Sequence, residues 1–100
     1  MKIEQNLIWY HGSNQIFSIL MKGSTITQWK ELAVAFSFRP TQLEYDDNGK
    51  IHHNGKAKGY VYIIDEPISI DKDIIQHPRT SMKKGLEFIT LRPLKVKLIQ

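Results

Sequence analysis

The feature that most limits how this chain can fold is a set of short apolar runs of high strand propensity, separated by turn residues. Three of these runs lie in the second half of the chain, at 60–64, 86–91 and 94–99. Short runs rich in β-branched and aromatic residues are typical of β-strands. In the last run apolar residues alternate with Lys95 and Lys97, which predicts one buried face and one solvent face. We therefore expect the second half to be mostly sheet.

The first half of the chain begins with another apolar run, at 7–10, which predicts a buried strand that ends at His11-Gly12-Ser13. In residues 14–21 the apolar side chains are spaced for one or two helical turns. Ser13 or Asn14 is suited to cap these turns, and Gly23 is suited to end them.

A second helix is predicted after a short extended segment at 24–27. Thr27 is a candidate N-cap, and Pro40 ends the helix. Apolar residues at i, i+3, i+4 and i+7 form one stripe along this helix. The stripe consists of Trp29, Leu32, Ala33 and Phe36.

The order of the remaining segments predicts an α+β protein. Residues 41–59 carry two turn signals, Asn48-Gly49 and Asn54-Gly55, and predict a polar hairpin or loop. A short strand is expected at 68–70, and residues 71–84 are interpreted as a polar connection. We expect one domain over 1–100, with antiparallel-rich sheets and helices packed on one side.

Composition narrows the classes of function. The net charge of +4 weakly favours anionic partners, and the absence of cysteine excludes disulfides and thiolate chemistry. His52 and His53 are adjacent, so in a strand they face opposite ways, and no metal site is expected. The N-terminus has no signal-peptide pattern and no run reaches the roughly 20 apolar residues of a membrane span. We expect a cytoplasmic protein.

Three polar positions interrupt the apolar segments: His11, Ser24-Thr25 and Glu87. Gly12, beside His11, would let a ligand lie on the main chain, with its N–H and C=O available to a flat amide. The structural alternative is a strand end with a turn glycine and a surface histidine. Glu87 is either a carboxylate that faces a cleft or an outward-facing strand residue.

Taken together, the motifs resemble the ADP-ribosyltransferase fold, in its poly(ADP-ribose) polymerase and rifampin ADP-ribosyltransferase branches. The run 9–13 is similar to the family's His-Gly-Ser/Thr strand, and 86–89 is similar to the strand that opens with the catalytic glutamate. Three further segments are similar to the C-terminal half of the rifampin-modifying enzymes: 60–67, 78–81 and 92–96. The resemblance implies a small split β-sandwich.

The same resemblance implies NAD as a substrate and assigns roles to individual residues. His11 would bond the adenosine ribose, the Gly12 backbone would hold the nicotinamide amide, and Ser13 could assist. Thr25 takes the place of a tyrosine that stacks on nicotinamide in the family, and Tyr10, Tyr60 and Tyr62 are the alternatives for the stacking ring. These assignments make His11, Gly12, Ser13, Thr25 and Tyr62 the expected NAD-binding residues.

By the resemblance, Glu87 and His11 are the expected catalytic residues. Glu87 would bond the 2′-hydroxyl of the nicotinamide ribose and stabilise the positive charge that builds on the sugar. Rifampin-type enzymes take their carboxylate from the segment after the central strand, which offers Asp71 and Asp73. We favour Glu87.

The predicted function is transfer of ADP-ribose from NAD to an unidentified acceptor, which could be a small molecule, a protein or a nucleic acid. The alternative is a non-catalytic module of the same fold that binds NAD, ADP-ribose or nucleic acid. A third possibility is an interaction domain with a basic face. That face would be led by Lys56, Lys58, Lys83 and Lys84.

Overall fold

The computed structural model describes residues 8–38, 43–45, 47–48, 50–55, 59–78 and 85–100. Within these ranges the chain forms one helix, which is not long and apolar enough to cross a membrane, and nine strands. The elements are β1 (Tyr10–Ser13), β2 (Ile19–Leu20), β3 (Thr25–Ile26), α1 (Lys30–Ser37), β4 (Leu43–Tyr45), β5 (Ile51–His53), β6 (Tyr60–Ile64), β7 (Ile74–Gln76), β8 (Phe88–Thr90) and β9 (Leu94–Leu98). The predicted α+β class with mostly antiparallel strands is confirmed.

The strands form two main sheets and a separate hairpin. The larger sheet has the order β1-β6-β9-β2, the smaller has the order β3-β8-β7, and β4 pairs with β5. One isolated bridge joins the two main sheets, between Tyr10 and Thr27. The Tyr10 N–H donates to the Thr27 carbonyl at 2.7 Å, and the Thr27 N–H donates back at 2.9 Å.

The hydrophobic core lies between the inner faces of the two main sheets. Trp9 meets Phe88 edge-on, with 4.9 Å between ring centroids. Because side chains alternate along a strand, β6 and β9 each direct one face inward. The core consists of Trp9, Leu20, Ile26, Tyr62, Ile74, Phe88, Leu94 and Val96. Lys95 and Lys97 are exposed, as their alternation predicts.

Helix α1 packs on the outer face of β1, where Gly12 provides the space. A Cβ on Gly12 would lie 1.8 Å from the Ala33 carbonyl oxygen, so no other residue fits without moving the helix. The buried side of α1 contains Leu32 and Ala33, which confirms the centre of the predicted stripe. Glycine at this position therefore serves the close packing of α1 on β1.

Two predictions for the first half are wrong in their boundaries. The strand begins at Tyr10 and contains His11-Gly12-Ser13, whereas the sequence placed its end there; Leu7 lies outside the described residues. Residues 14–18 form bends where a helix was expected, and β2 follows. The reason is long-range bonding: the Tyr62 hydroxyl donates to the Gln15 carbonyl at 2.7 Å and accepts from the Phe17 N–H at 3.1 Å. These bonds replace those of a helical turn.

The helix start also differs from the prediction. Trp29 is the residue before the first helical turn and is only partly buried, so it is not on the buried face of α1. Thr27 is held in the bridge to β1, and its Oγ1 accepts a hydrogen bond from the Trp29 N–H at 3.1 Å. Pairing with β1 keeps Thr27 extended, so the helix begins later than predicted. The N-cap is Trp29, two residues after Thr27.

In the second half, β6 is central between β1 and β9, as predicted. The β4–β5 pairing confirms a hairpin in the described part of 41–59. At 68–70 the structure has only an isolated bridge, from Ile70 to Ile74. Strand β7 lies within the segment 71–84, which was predicted to be a polar connection. The sequence does not reveal this strand, because only three residues pair with β8 and so short a run has no local signal.

Candidate functional site

The candidate site is the place where β1 and β3 separate. Continuing the register of the Tyr10–Thr27 bridge would pair Gly12 with Thr25. Among the described residues, no backbone hydrogen bond joins those two. Instead, the His11 Nδ1 lies 2.6 Å from the Thr25 carbonyl oxygen. An imidazole therefore occupies the position at which the ladder would otherwise continue.

The open edge of β1 presents the peptide groups of Gly12. The Ile64 N–H donates to the Trp9 carbonyl on the β6 side, whereas Tyr10 bonds on the opposite side. Because hydrogen bonds in an antiparallel ladder alternate, the Gly12 N–H and C=O point away from β6 and toward β3. A donor and an acceptor side by side can bind a planar carboxamide through two hydrogen bonds.

His11 is held in one tautomer by its contact with Thr25. A carbonyl oxygen only accepts, so Nδ1 carries the proton and donates, which leaves Nε2 as an acceptor when the ring is neutral. Burial lowers the pKa of His11 below its ordinary value of 6.5, and the hydrogen bond to Thr25 partly opposes that shift. The neutral ring is thus the form favoured at pH 7, ready to accept from a hydroxyl.

Two expected binding residues have structural roles instead. Ser13 is buried, and its Oγ accepts a hydrogen bond from the Gln15 N–H at 3.1 Å. Tyr62 is fully buried, with 0% of its surface exposed, and both hydrogen-bonding directions of its hydroxyl are used. With none of its surface exposed and its hydroxyl bonded on both sides, Tyr62 supports the loop at 15–17 in this structure.

Phe17 is the aromatic residue that the sequence did not single out. Its ring stacks on Tyr62, with 4.6 Å between centroids and 10° between planes, and lies 6.0 Å from the His11 ring. Phe17 remains partly exposed. The sequence carries no local signal for this arrangement, since the stacking partner is 45 residues away along the chain.

Glu87 lies immediately before β8 and is largely buried. Its carbonyl accepts from the His77 N–H at 2.9 Å, which extends the β7–β8 ladder by one pair. Continuing the β3–β8 register places Glu87 opposite Thr27. His11, Thr25 and Glu87 thus belong to three neighbouring segments, β1, β3 and the start of β8.

Both carboxylate oxygens of Asp73, the alternative catalytic acid, already accept hydrogen bonds within the protein. Its Oδ1 accepts from the Arg92 Nε at 2.9 Å, and its Oδ2 accepts from the Ser69 N–H at 2.8 Å. The hydrogen bond from Arg92, followed by that from Ser69, lowers the pKa of Asp73. Arg92 also contacts the Glu66 Oε1 at 2.7 Å. This ion cluster, which the sequence did not predict, joins the 65–73 segment to the turn before β9.

Asp71, the other rifampin-type candidate, is exposed and has a left-handed backbone, with φ of 73°. Its N–H donates to the Ile74 carbonyl at 2.7 Å, so it shapes the turn that leads into β7. The expected basic face, Lys56, Lys58, Lys83 and Lys84, lies outside the described residues.

Comparisons with known proteins returned no match: no family model, no curated protein and no solved structure is similar to this chain. The separation of β1 and β3 and the residues around it are therefore the features of this chain that bear on its function. Of the sequence-predicted residues, His11, Gly12 and Thr25 meet there. Glu87 lies on the far side of β3, and Ser13 and Tyr62 support the loop that follows β1.

Proposed function

We propose that this chain is an ADP-ribosyltransferase-like protein with a split β-sandwich that binds NAD where β1 and β3 separate, and that it transfers ADP-ribose to an acceptor. The observation that carries this proposal is the unpaired Gly12 edge beside the His11–Thr25 contact. The isolated bridge between Tyr10 and Thr27 begins a ladder whose next pair would close this edge. Here the next pair is absent, and an oriented imidazole takes its place.

Binding would use complementary hydrogen bonds on both parts of the ligand. The carboxamide of nicotinamide has one acceptor and two donor positions, which complement the N–H and C=O of Gly12. The Nε2 of His11 would accept from a ribose hydroxyl of the same ligand. Because Thr25 fixes the ring orientation before the ligand arrives, little side-chain entropy is lost on binding.

In the proposed reaction the bond between nicotinamide and the ribose C1′ breaks, and its electron pair leaves with neutral nicotinamide. The sugar then develops positive charge, as in glycoside hydrolysis. A nucleophilic atom of the acceptor forms the new bond to C1′ and releases its proton to solvent water. Glu87 is proposed to stabilise the positively charged sugar, an interaction that is strongest in the transition state.

A non-catalytic module is the second candidate, and the position of Glu87 favours it. Thr27 lies between Tyr10 and Glu87, so two strand spacings, about 10 Å, separate β1 from the glutamate backbone. Thr25, where the resembling family has a stacking tyrosine, provides no aromatic ring. Both functions use the same Gly12 and His11 contacts, and only the first needs the carboxylate.

The test measures nicotinamide release and NAD affinity for wild type and Glu87→Gln. Glutamine keeps the size and can accept a ribose hydrogen bond but lacks the negative charge. We expect affinity to change little, while kcat falls about 10²–10³-fold, as for removal of one electrostatic contact. Glu31→Gln is the matched control, because Glu31 is an exposed carboxylate in the first turn of α1.

Three outcomes separate the possibilities. Loss of turnover in Asp71→Asn or Asp73→Asn, with Glu87→Gln active, would assign the acid to the rifampin-type segment. Binding of NAD by wild type without nicotinamide release would leave the non-catalytic module as the function. Absence of NAD binding by wild type would contradict both.

A further inference from the structure

We infer that Phe17 is a stacking platform for a planar heteroaromatic ring of the ligand, an inference that rests on the proposed NAD site. The ring is held on one face by Tyr62, with centroids 4.6 Å apart and planes within 10° of parallel. Phe17 is only partly buried, in contrast to Tyr62 beneath it. The stack therefore presents an aromatic residue at the surface, backed by a buried one.

The position of this platform is fixed by hydrogen bonds at its base. The Tyr62 hydroxyl accepts from the Phe17 N–H and donates to the Gln15 carbonyl, so backbone and ring of Phe17 are both attached to Tyr62. Ser13 anchors the start of the same loop through the Gln15 N–H. Such preorganisation reduces the entropy that a ligand would otherwise lose by ordering the loop.

The loop at 14–18, which places Phe17 on Tyr62, also leaves apolar surface exposed. Ile16, the neighbour of Phe17, is 70% exposed. A helix over 14–21 would have buried apolar residues of this segment on one side, as the sequence predicts. The bends instead direct Phe17 onto Tyr62, beside the His11 ring at 6.0 Å. The platform thus adjoins the imidazole whose Nε2 is available to a ribose hydroxyl.

The chemistry that fits is a flat ring attached to a ribose. A ring stacked on Phe17 would carry its sugar toward His11, and stacking of a base on an aromatic side chain contributes to affinity without requiring a particular base. NAD contains two such rings, adenine and nicotinamide. Adenosine monophosphate and nicotinamide mononucleotide are the probes that distinguish them.

The experiment is calorimetric titration of wild type and Phe17→Leu with NAD and with each mononucleotide. Leucine keeps an apolar cover over Tyr62 but removes the aromatic face. We expect NAD to bind about tenfold more weakly to Phe17→Leu, and Phe17→Trp to bind at least as well as wild type. Weaker binding of one mononucleotide and not the other identifies the stacked ring.

Phe36→Leu is the matched control, since it makes the same substitution at a partly buried position of α1. It should leave affinity unchanged. If Phe17→Leu binds all three probes as wild type does, Phe17 only covers Tyr62 and the inference is wrong. That result differs from failure of the proposed function, in which wild type itself does not bind NAD. A loss in Phe17→Leu that Phe17→Trp shares would also contradict stacking.

Discussion

Replacing Gly12 by alanine tests whether α1 depends on contact with the bare backbone of β1. The new Cβ would lie 1.8 Å from the Ala33 carbonyl oxygen and 2.8 Å from the Ser37 nitrogen. Ordinary contact begins at 3.4 Å, so the helix would have to move by about 1.6 Å. Both contacting atoms are backbone atoms, which no rotamer change can displace.

Two effects of opposite sign contribute to the expected change in stability. Alanine reduces the conformational entropy of the unfolded chain, which stabilises by about 0.4–1 kcal/mol where the native backbone tolerates it. Overpacking a well-packed site costs about 1–3 kcal/mol, and contact with rigid backbone places this site at the upper end. We therefore expect a net loss of roughly 2–3 kcal/mol. For a domain of this size that lowers Tm by about 10–20 °C.

The assay is urea unfolding, followed by tryptophan fluorescence, together with thermal melting. Gly23→Ala is the control: its Cβ would have nothing within 4 Å, but φ is +86°, so only backbone strain of about 1–2 kcal/mol is expected. If Gly12→Ala loses less than about 1 kcal/mol at an unchanged m-value, α1 is not fixed by this contact and the reasoning is wrong. A large loss would also mean that Gly12→Ala cannot serve as a probe of ligand binding.

Two further predictions concern pH and backbone strain. Because burial lowers the pKa of folded His11 below 6.5, the unfolded chain binds the proton first, so the free energy of unfolding should decrease as pH falls from 7.5 to 5.5. His11→Asn, whose side-chain amide can still donate to Thr25, should show a smaller decrease in urea titrations at each pH; an equal decrease would assign the effect to other groups. Asp71→Gly should change Tm by only a few degrees, because the relief of about 1 kcal/mol at the φ of 73° is largely offset by the entropy of about 0.4–1 kcal/mol that glycine adds to the unfolded chain. A Tm lowered by more than a few degrees would show that the Asp71 side chain contributes more than its backbone costs.

Some strands and the centre of the helix are predictable because their own residues carry the hydrophobic period and the propensity that define them. The runs that form β6 and β8 consist of apolar, aromatic and β-branched residues, and the lysines of β9 alternate with apolar residues, so period and propensity predict these strands. The centre of α1 was predicted for the same reason: Leu32 and Ala33 recur on one helical face. Their α+β combination follows from the order of these elements.

Elements that depend on distant partners were not predictable. Strand β7 exists because three residues pair with β8, and 14–18 is not helical because Tyr62 binds its backbone from another strand. The register of β1 likewise depends on β6, which pairs with Tyr10–Ser13 and makes His-Gly-Ser part of the strand. Local propensity is weaker than these long-range hydrogen bonds and therefore did not decide the outcome.

The sequence by itself determined which residues could form a site: His11, Gly12, Thr25 and Glu87 all interrupt or border apolar strands. Only the tertiary structure decided how they relate. It turned the Gly12 peptide groups away from β6, directed the His11 Nδ1 to the Thr25 carbonyl, and placed Glu87 across β3 from β1. These relations follow from sheet register and alternation, which depend on pairing between strands distant in sequence, and a one-residue shift would have reversed every face.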